Sequence, residues 1–389
     1  MSCLFGCAAS PVPGLVIVGA KGSEQMKPIQ LGLVWSFLLG ACAIAAGGNA
    51  PYPPSKVITG IRFDRSTLVK AAPGSDQFGY TTASDGNVYV FWGDGGGFGG
   101  TNSRGRASLG VGRILGMPPA WKGANVWGGV EPLAKQPPTP GKPSNGAISV
   151  DGTMYLYICH QGVWTDNTLW KSADLGMTWR KVGQLFKEPR GAFADPGVIQ
   201  FGPDYRGARD RYVYGYDEHF FEDGLALFRV DKTKLEDRSS YEFFAGFDRD
   251  GKPQWSADIE QKQRVFIDPK GTEWGVTCTY NPYLKRYLLA VRHNGESGDW
   301  GLFDAPEPWG PWTTVGYGKD FPDWVGAKDP HGASKGRPAY LHNFPQEWMG
   351  KDGTTLWHIS DRGDQFNIVK AVLTLANPPK PHPKARARD

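Results

Sequence analysis

The 389-residue chain is short of cysteine, of helix-favouring composition and of net charge. Five cysteines are too few for a disulfide scaffold of this length, and none is spaced with histidine as zinc ligand sets are. No apolar run reaches the ~20 residues that a membrane-crossing helix requires. Lys and Arg number 43 against 39 Asp and Glu, a formal charge of +4. The only basic cluster is the Pro-rich tail Lys380 to Arg388, so a nucleic-acid partner is not expected. A Gly-X-Y period is absent, which excludes collagen. What the chain has instead is 53 Gly, 31 Pro, 15 Trp, 15 Tyr and 20 Phe. Glycine at about 14% is twice the usual ~7%. Gly and Pro end helices and make turns, and aromatics favour pleated surfaces, so the composition predicts an all-β fold of many short strands. Trp indoles pack cores and also form platforms for sugar rings; composition does not separate the two.

Residues 1–50 read as an address. Met26-Lys27 leads into the apolar run Leu31 to Ala46, ending in small residues, which has the form of a secretory signal peptide starting at Met26, with residues 1–25 as an extension. Leu39-Gly40-Ala41-Cys42 also has the form of a bacterial lipobox, in which Cys42 would carry a lipid anchor; simple cleavage after Ala43-Ile44-Ala45 is the alternative. Either reading places the protein outside the cytoplasm, secreted or in the cell envelope. Cys159 and Cys278 stand in apolar strand-like runs, the setting of buried free thiols, and their spacing leaves open whether they pair.

The rest of the chain is a repeat. Asp85-Gly86-Asn87-Val88-Tyr89-Val90-Phe91-Trp92-Gly93-Asp94 shares a frame with Asp151 to His160 and Asp352 to Asp361, and looser copies begin at Asp210 and Lys285. The turns recur roughly 60 to 75 residues apart, each followed by an aromatic-rich strand. Four antiparallel strands per unit and five units predict a five-bladed β-propeller over residues 51–377, followed by a basic tail, 378–389. Such units are too long for solenoid coils and too regular for a sandwich. Ser172-Ala173-Asp174-Leu175-Gly176-Met177-Thr178-Trp179 matches the Asp-box of sialidase-like propellers, in which the Asp and Ser bond turn backbone and the Trp packs beneath. The three arginines and nucleophilic tyrosine of a sialidase site cannot be placed.

In a hairpin, residues equidistant from the turn face one another. Around Asp85-Gly86, the partner of Asp94 falls at position 76 or 77, and Asp76 is there. Two carboxylates at one end of one hairpin need a reason, because like charges that close repel. The glycine run Gly95 to Gly100 beside them permits unusual backbone angles and the approach of a ligand. Nine residues on from the turn Asp, the repeats carry Asp94, His160, His219 and Asp361, and the fourth unit offers Arg292 and His293 nearby. Radial symmetry gathers these at one mouth of the channel. An aspartate pair there fits glycoside hydrolysis, one carboxyl protonating the leaving oxygen and the other activating water or attacking the anomeric carbon. His160, Glu218, His219, Asn281 and Asp361 are candidate sugar contacts and Trp164 a candidate stacking platform; the plainer reading of each is a structural residue. No cofactor is expected, and no residue spacing argues for a metal, though the central channel leaves room for one.

At these residues the chain resembles a known family. Asp76-Gln77-Phe78-Gly79-Tyr80-Thr81-Thr82-Ala83-Ser84-Asp85-Gly86-Asn87-Val88-Tyr89, Trp92-Gly93-Asp94-Gly95 with Phe98, and later Asn281-Pro282-Tyr283, Arg286-Tyr287-Leu288 and Ala305-Pro306-Glu307-Pro308-Trp309-Gly310-Pro311-Trp312 are similar to domain of unknown function family 4185. The resemblance implies a five-bladed propeller and, for some members, endo-D-arabinanase activity on mycobacterial cell-wall arabinan. It implies that the aspartate pair carries over to Asp76 and Asp94. The family usually has Trp close after the first Asp, where this chain has Gln77-Phe78. The resulting expectation is a monomeric secreted glycoside hydrolase acting on a polysaccharide such as D-arabinan or another furanoside, with a non-catalytic carbohydrate-binding propeller as the alternative.

Overall fold

A computed structural model describes residues 49–139, 141–159, 166–187, 193–221, 223–272, 275–293, 300–318, 339 and 341–378; the side chains of 142–145 and 218–221 lie outside that description. All of them belong to one compact unit, Ala41–Asp389. His160, Trp164, the signal-like segment with Cys42 and the basic tail lie outside the described residues.

The strands form five antiparallel sheets, the blades of a propeller. Blade 1 runs Asp76–Thr82, Val88–Gly95, Ala107–Met117 and Ala120–Trp127 from the centre outward. Blade 2 runs Lys142–Val150, Thr153–Cys159, Asn167–Ser172 and Arg180–Phe186. Blade 4 runs Thr277–Asn281, Arg286–Arg292, Trp300–Ala305 and Thr313–Gly318. Blade 3 departs from the expected four strands. To Gly197–Val198, Tyr212–Phe221, Gly224–Asp231 and Tyr241–Phe247 it adds the edge strand Pro253–Ser256, and Phe266–Ile267 pairs with its third strand. Blade 5 takes His342–Asn343, Thr355–Ser360 and Phe366–Leu375 from the end of the chain and its outermost strand, Ile58–Ala71, from the beginning. That strand pairs antiparallel with Phe366–Leu375 and closes the ring.

The repeated turns work by side-chain bonding. Asp85 accepts the Asn87 amide at 3.0 Å and the Tyr89 hydroxyl at 3.0 Å. Asp210 does the same for Tyr212 and Tyr214, at 2.8 and 2.7 Å. An Asp just ahead of the strand thus caps the turn and holds an aromatic four residues on. In the Ser172–Trp179 turn, Gly176 N donates to Ser172 Oγ (2.9 Å), Thr178 N to Asp174 Oδ1 (2.9 Å) and the indole of Trp179 to Gly176 O (3.0 Å). Burial pulls the Asp174 carboxyl up, but the bonds from Thr178 and Ser172 outweigh it and leave it below its usual value.

The aromatic excess is mostly core: Trp92, Trp127 and Trp300 are fully buried, with Tyr89, Tyr157, Tyr216, Tyr241 and Tyr287. On or beside the innermost strands of blades 1, 3, 4 and 5, a cavity of about 10 Å³ lies among Tyr80, Val198, Gln200, Val276, Thr277, Cys278 and Asn343, room for one water. Cys159 and Cys278 are buried in different blades and are not joined by a disulfide, and burial pushes the Cys278 thiol up.

Between blades 4 and 5, His342 Nδ1 lies 3.1 Å from His358 Nε2, and the Trp300 indole stacks on His342 at 3.8 Å between centroids. Burial holds both imidazoles neutral, drawing His358 down to about 3 and His342 well below its usual range, the latter helped by His358. The unfolded chain protonates them near 6.5. Below that pH the unfolded state binds more protons, so stability is full above about 6.5 and falls as the pH drops toward the folded values. At pH 5 the expected loss is about 2 kcal/mol for an imidazole kept neutral. Glu347, raised by burial, acts with the opposite sign, so wild type is to be compared with His358→Gln. Urea midpoints at pH 7.5 and 5.0 should separate more in wild type than in the variant; equal separations would remove the pair from the acid response.

Candidate active site

The first and second strands of each blade run in opposite directions, so the start of one and the end of the next share one end of the propeller. In blade 1 that end carries Asp76, the first residue of its strand, and Asp94, the penultimate residue of the next. Asp76 pairs with Gly93, and the next pair is Gly79 with Phe91. Gln77 and Phe78 therefore oppose the single residue Trp92, which is a β-bulge. The bulge sets the register, and Asp94 falls one residue beyond the pair.

Backbone strain concentrates here. Gln77 (φ 72°), Phe78 (φ 52°) and Asp94 (φ 54°) are left-handed without being glycine. Asp tolerates that region; Gln and Phe do so at a cost of ~1–3 kcal/mol each. The compensation is visible. The Gln77 amide donates to Asp361 Oδ2 at 2.8 Å, Asn343 Nδ2 donates to Phe78 O at 3.0 Å, and the buried Phe78 ring packs edge-on to Phe366 at 5.2 Å.

Asp76 and Asp94 line one cavity of about 510 Å³ together with Gly74, Asn102, Arg106 and Asp364. Arg106 Nη2 lies 3.3 Å from Asp94 Oδ1, and Arg106 Nη1 also bonds the Asp94 carbonyl and Asn102. Both side chains of the pair are substantially exposed, 45% and 33%, so the ion pair is worth only ~0.2–1 kcal/mol. Its effect is to fix where the Asp94 carboxylate points. Among the described residues the lining is polar or glycine, so it offers hydrogen-bonding groups and no aromatic face. Among the described residues, the lining comes from blade 1, blade 5 and the connection between them.

The glycine run is shaped by the protein's own packing. A Cβ on Gly95 would lie 2.1 Å from Ser75 Oγ, and one on Gly96 would lie 2.0 Å from Arg104 O. Asn125 ties the loop down, accepting from Phe98 N and donating to Phe98 O and Val130 O. Gly95 and Gly96 let the loop fold back on blade 1 and present Asn102 and Arg106 to the cavity, and Gly97 (φ 65°) and Gly99 (φ 78°) take the left-handed angles that the run permits.

The other residues singled out in the sequence separate. Asp361 is brought beside Asp76 but is 1% exposed and bonded to the amides of Gln77 and Leu341, so it cannot contact a sugar directly. Asn281 stands at the opposite end of its strand, in the hairpin turn, where it accepts from the amides of Tyr283 and Leu284 and donates to Gly353 O. It is not brought to this mouth. Glu218 and His219 stand at the matching end of the second strand of blade 3. In the fourth unit His293 is buried against Asp268, Nε2 to Oδ2 at 3.0 Å, and Tyr317 donates to the same carboxylate at 2.8 Å. Sequence reasoning did not find Arg106, Asn102 or Asp364. Asp364, three residues past the repeat position, stands in the loop after it, where the repeat has no phase. Among the described residues no group of three or more His, Cys, Asp or Glu is placed to hold a metal ion.

Residues 142–324 match the model of the family Domain of unknown function (DUF4185). A search of curated proteins finds no match. In fold the chain is similar to a candidate hydrolase from Bacteroides ovatus, at 12% identity and a TM-score of 0.52, covering 90% of this chain and 97% of that one. An α-L-arabinofuranosidase from Podospora anserina, solved with cellotriose, aligns at 10% identity and a TM-score of 0.44 over 79% of this chain and 93% of that one. An exo-β-1,3-galactanase from Phanerochaete chrysosporium aligns at 10% identity and a TM-score of 0.43 over 84% of this chain and 64% of that one. At such identities the likeness speaks to fold alone. The aspartate pair of blade 1 lies outside the matched segment, whereas the Asn281-Pro282-Tyr283 and Ala305 to Trp312 motifs lie inside it. The segment that matches the family model, residues 142–324, makes up blades 2 to 4 of a five-bladed propeller, and over it the chain is similar to the family Domain of unknown function (DUF4185).

Proposed function

We propose that the protein is a secreted glycoside hydrolase that cleaves a polysaccharide, with D-arabinan or another furanoside as the leading substrate and Asp76 and Asp94 as the acid and base. The observation that carries the reading is the pair itself: two aspartates from one hairpin, held by a bulge and a left-handed residue, lining one cavity. In the reaction one carboxyl gives its proton to the glycosidic oxygen as the bond to the anomeric carbon breaks. The other carboxylate takes a proton from the attacking water or bonds the anomeric carbon itself, to be released by water in a second step. Asp94, oriented by Arg106, is assigned the ionised role, and Asp76 the proton donor. Asn102 and Arg106 offer donors to sugar hydroxyls. The signal-like segment fits export, and Cys42 fits a lipid anchor in the envelope.

The polar lining among the described residues also suits a binding protein that holds a glycan without cutting it. Reducing-end release from a polysaccharide panel that includes D-arabinan separates the two. Release by wild type is expected; binding to a panel member with no new reducing ends would assign the cavity to carbohydrate capture.

A further inference from the structure

We infer that Asp361 is a positioning residue whose carboxylate sets the direction of Asp76 from the neighbouring blade. Blade 5 grips the chain on both sides of Asp76. Before it, the Gly74 amide donates to Asp364 O at 2.6 Å. After it, the Gln77 amide donates to Asp361 Oδ2 at 2.8 Å and Phe78 O accepts from Asn343 at 3.0 Å. Of these, the Asp361 bond reaches the residue next to Asp76 and comes from a side chain that is buried, with its other oxygen accepting from Leu341 N at 3.3 Å. The carboxylate has almost no access to solvent and accepts these two amides, and the Gln77 amide belongs to the bulge.

The consequence follows from strand geometry. Gln77 occupies a left-handed conformation that a glutamine does not choose unaided. If it relaxes to extended backbone the bulge is lost, the pairing slips by one residue, and side chains on that side of the slip exchange faces. Asp76, just beyond the bulge, would turn away from the cavity it shares with Asp94. The second strand and its Asp94 are untouched by that slip. Asp361 thus acts on one member of the pair, through Gln77, and the blade that closes the ring determines whether the pair is assembled.

The rate consequence rests on the hydrolase reading; the structural one does not. The test is a pair of variants, Asp361→Ala, which removes both acceptors, and Asp361→Asn, which keeps one carbonyl oxygen. In crystals of Asp361→Ala, Gln77 should leave the left-handed region and the Asp76 carboxylate should leave the cavity, with Asp94 in place; Asp361→Asn should lie between it and wild type. In kinetics on whichever polysaccharide the wild type cleaves, kcat should fall by about 10² for Asp361→Ala with KM nearly unchanged, and be partly rescued in Asp361→Asn. Asp76 and Gln77 unmoved in the variant that folds would overturn the inference, as would an unchanged kcat. An inactive wild type whose Asp361 variants still displace Asp76 would count against the hydrolase reading and uphold the positioning role.

Discussion

Replacing Asp94 or Asp76 with Asn is expected to lower kcat by roughly 10² to 10⁴, the usual worth of a general acid or base, while leaving the fold intact. Asparagine is the right probe at 94 because the position is left-handed, φ 54°, and Asn adopts that region as readily as Asp. Alanine there would add backbone strain and confuse stability with chemistry. The lost Arg106 pairing removes at most ~1 kcal/mol because both partners are exposed, so the melting temperature should move by only a few degrees. The two variants should also differ from each other. If Asp76 is the proton donor, Asp76→Asn should spare substrates with good leaving groups, such as nitrophenyl glycosides, more than it spares polysaccharide. Asp94→Asn should impair both. Equal and small effects on both substrates would move the chemistry away from this hairpin.

Deleting residues up to Ala71 should abolish cooperative folding. The strand Ile58–Ala71 is the outer edge of blade 5 and pairs along nearly the whole of Phe366–Leu375. Ile58 and Ile61 are fully buried, worth ~1.5–3 kcal/mol each, and their loss comes with an exposed ten-residue edge, Phe366–Leu375, that invites intermolecular pairing. Against a total stability of ~5–15 kcal/mol that is a ruinous loss. A chain beginning at residue 51, which keeps the strand, should melt cooperatively, and one beginning at residue 72 should not. Cooperative melting of the shorter chain at the same temperature would show that the ring does not depend on this closure.

The five repeats were legible because their turns are local. An Asp that bonds the amide two residues on and the tyrosine hydroxyl four on is written in consecutive residues, as at Asp85 and Asp210. The juxtaposition of Asp76 and Asp94 was legible for the same reason, by counting outward from one turn, although the count ignored the bulge and so put Asp94 opposite position 76 or 77, whereas Asp76 pairs with Gly93 and Asp94 falls one residue past it. What was not legible is tertiary. The partner of Ile58–Ala71 lies about 300 residues away, and no periodicity links them. Asp361 could be found as a repeat position, yet only the packing of blade 5 against blade 1 reveals that its oxygens face backbone amides. Asp364 and Arg106 enter the cavity from loops, where side-chain direction is set by contacts and not by a repeat. The glycine run was visible, but its cause, the close approach of Ser75 and Arg104 to Gly95 and Gly96, was not.

The central claim, that a glycan is cleaved in the cavity between blades 1 and 5, is tested most directly by a crystal of the Asp94→Asn protein soaked with an oligosaccharide of whichever polysaccharide the wild type cleaves. The expected result is a sugar chain crossing the cavity lined by Asp76, Asn102, Arg106 and Asp364, with one glycosidic oxygen within hydrogen-bonding distance of the Asp76 carboxyl. An oligosaccharide bound elsewhere on the propeller, with this cavity empty, would contradict it.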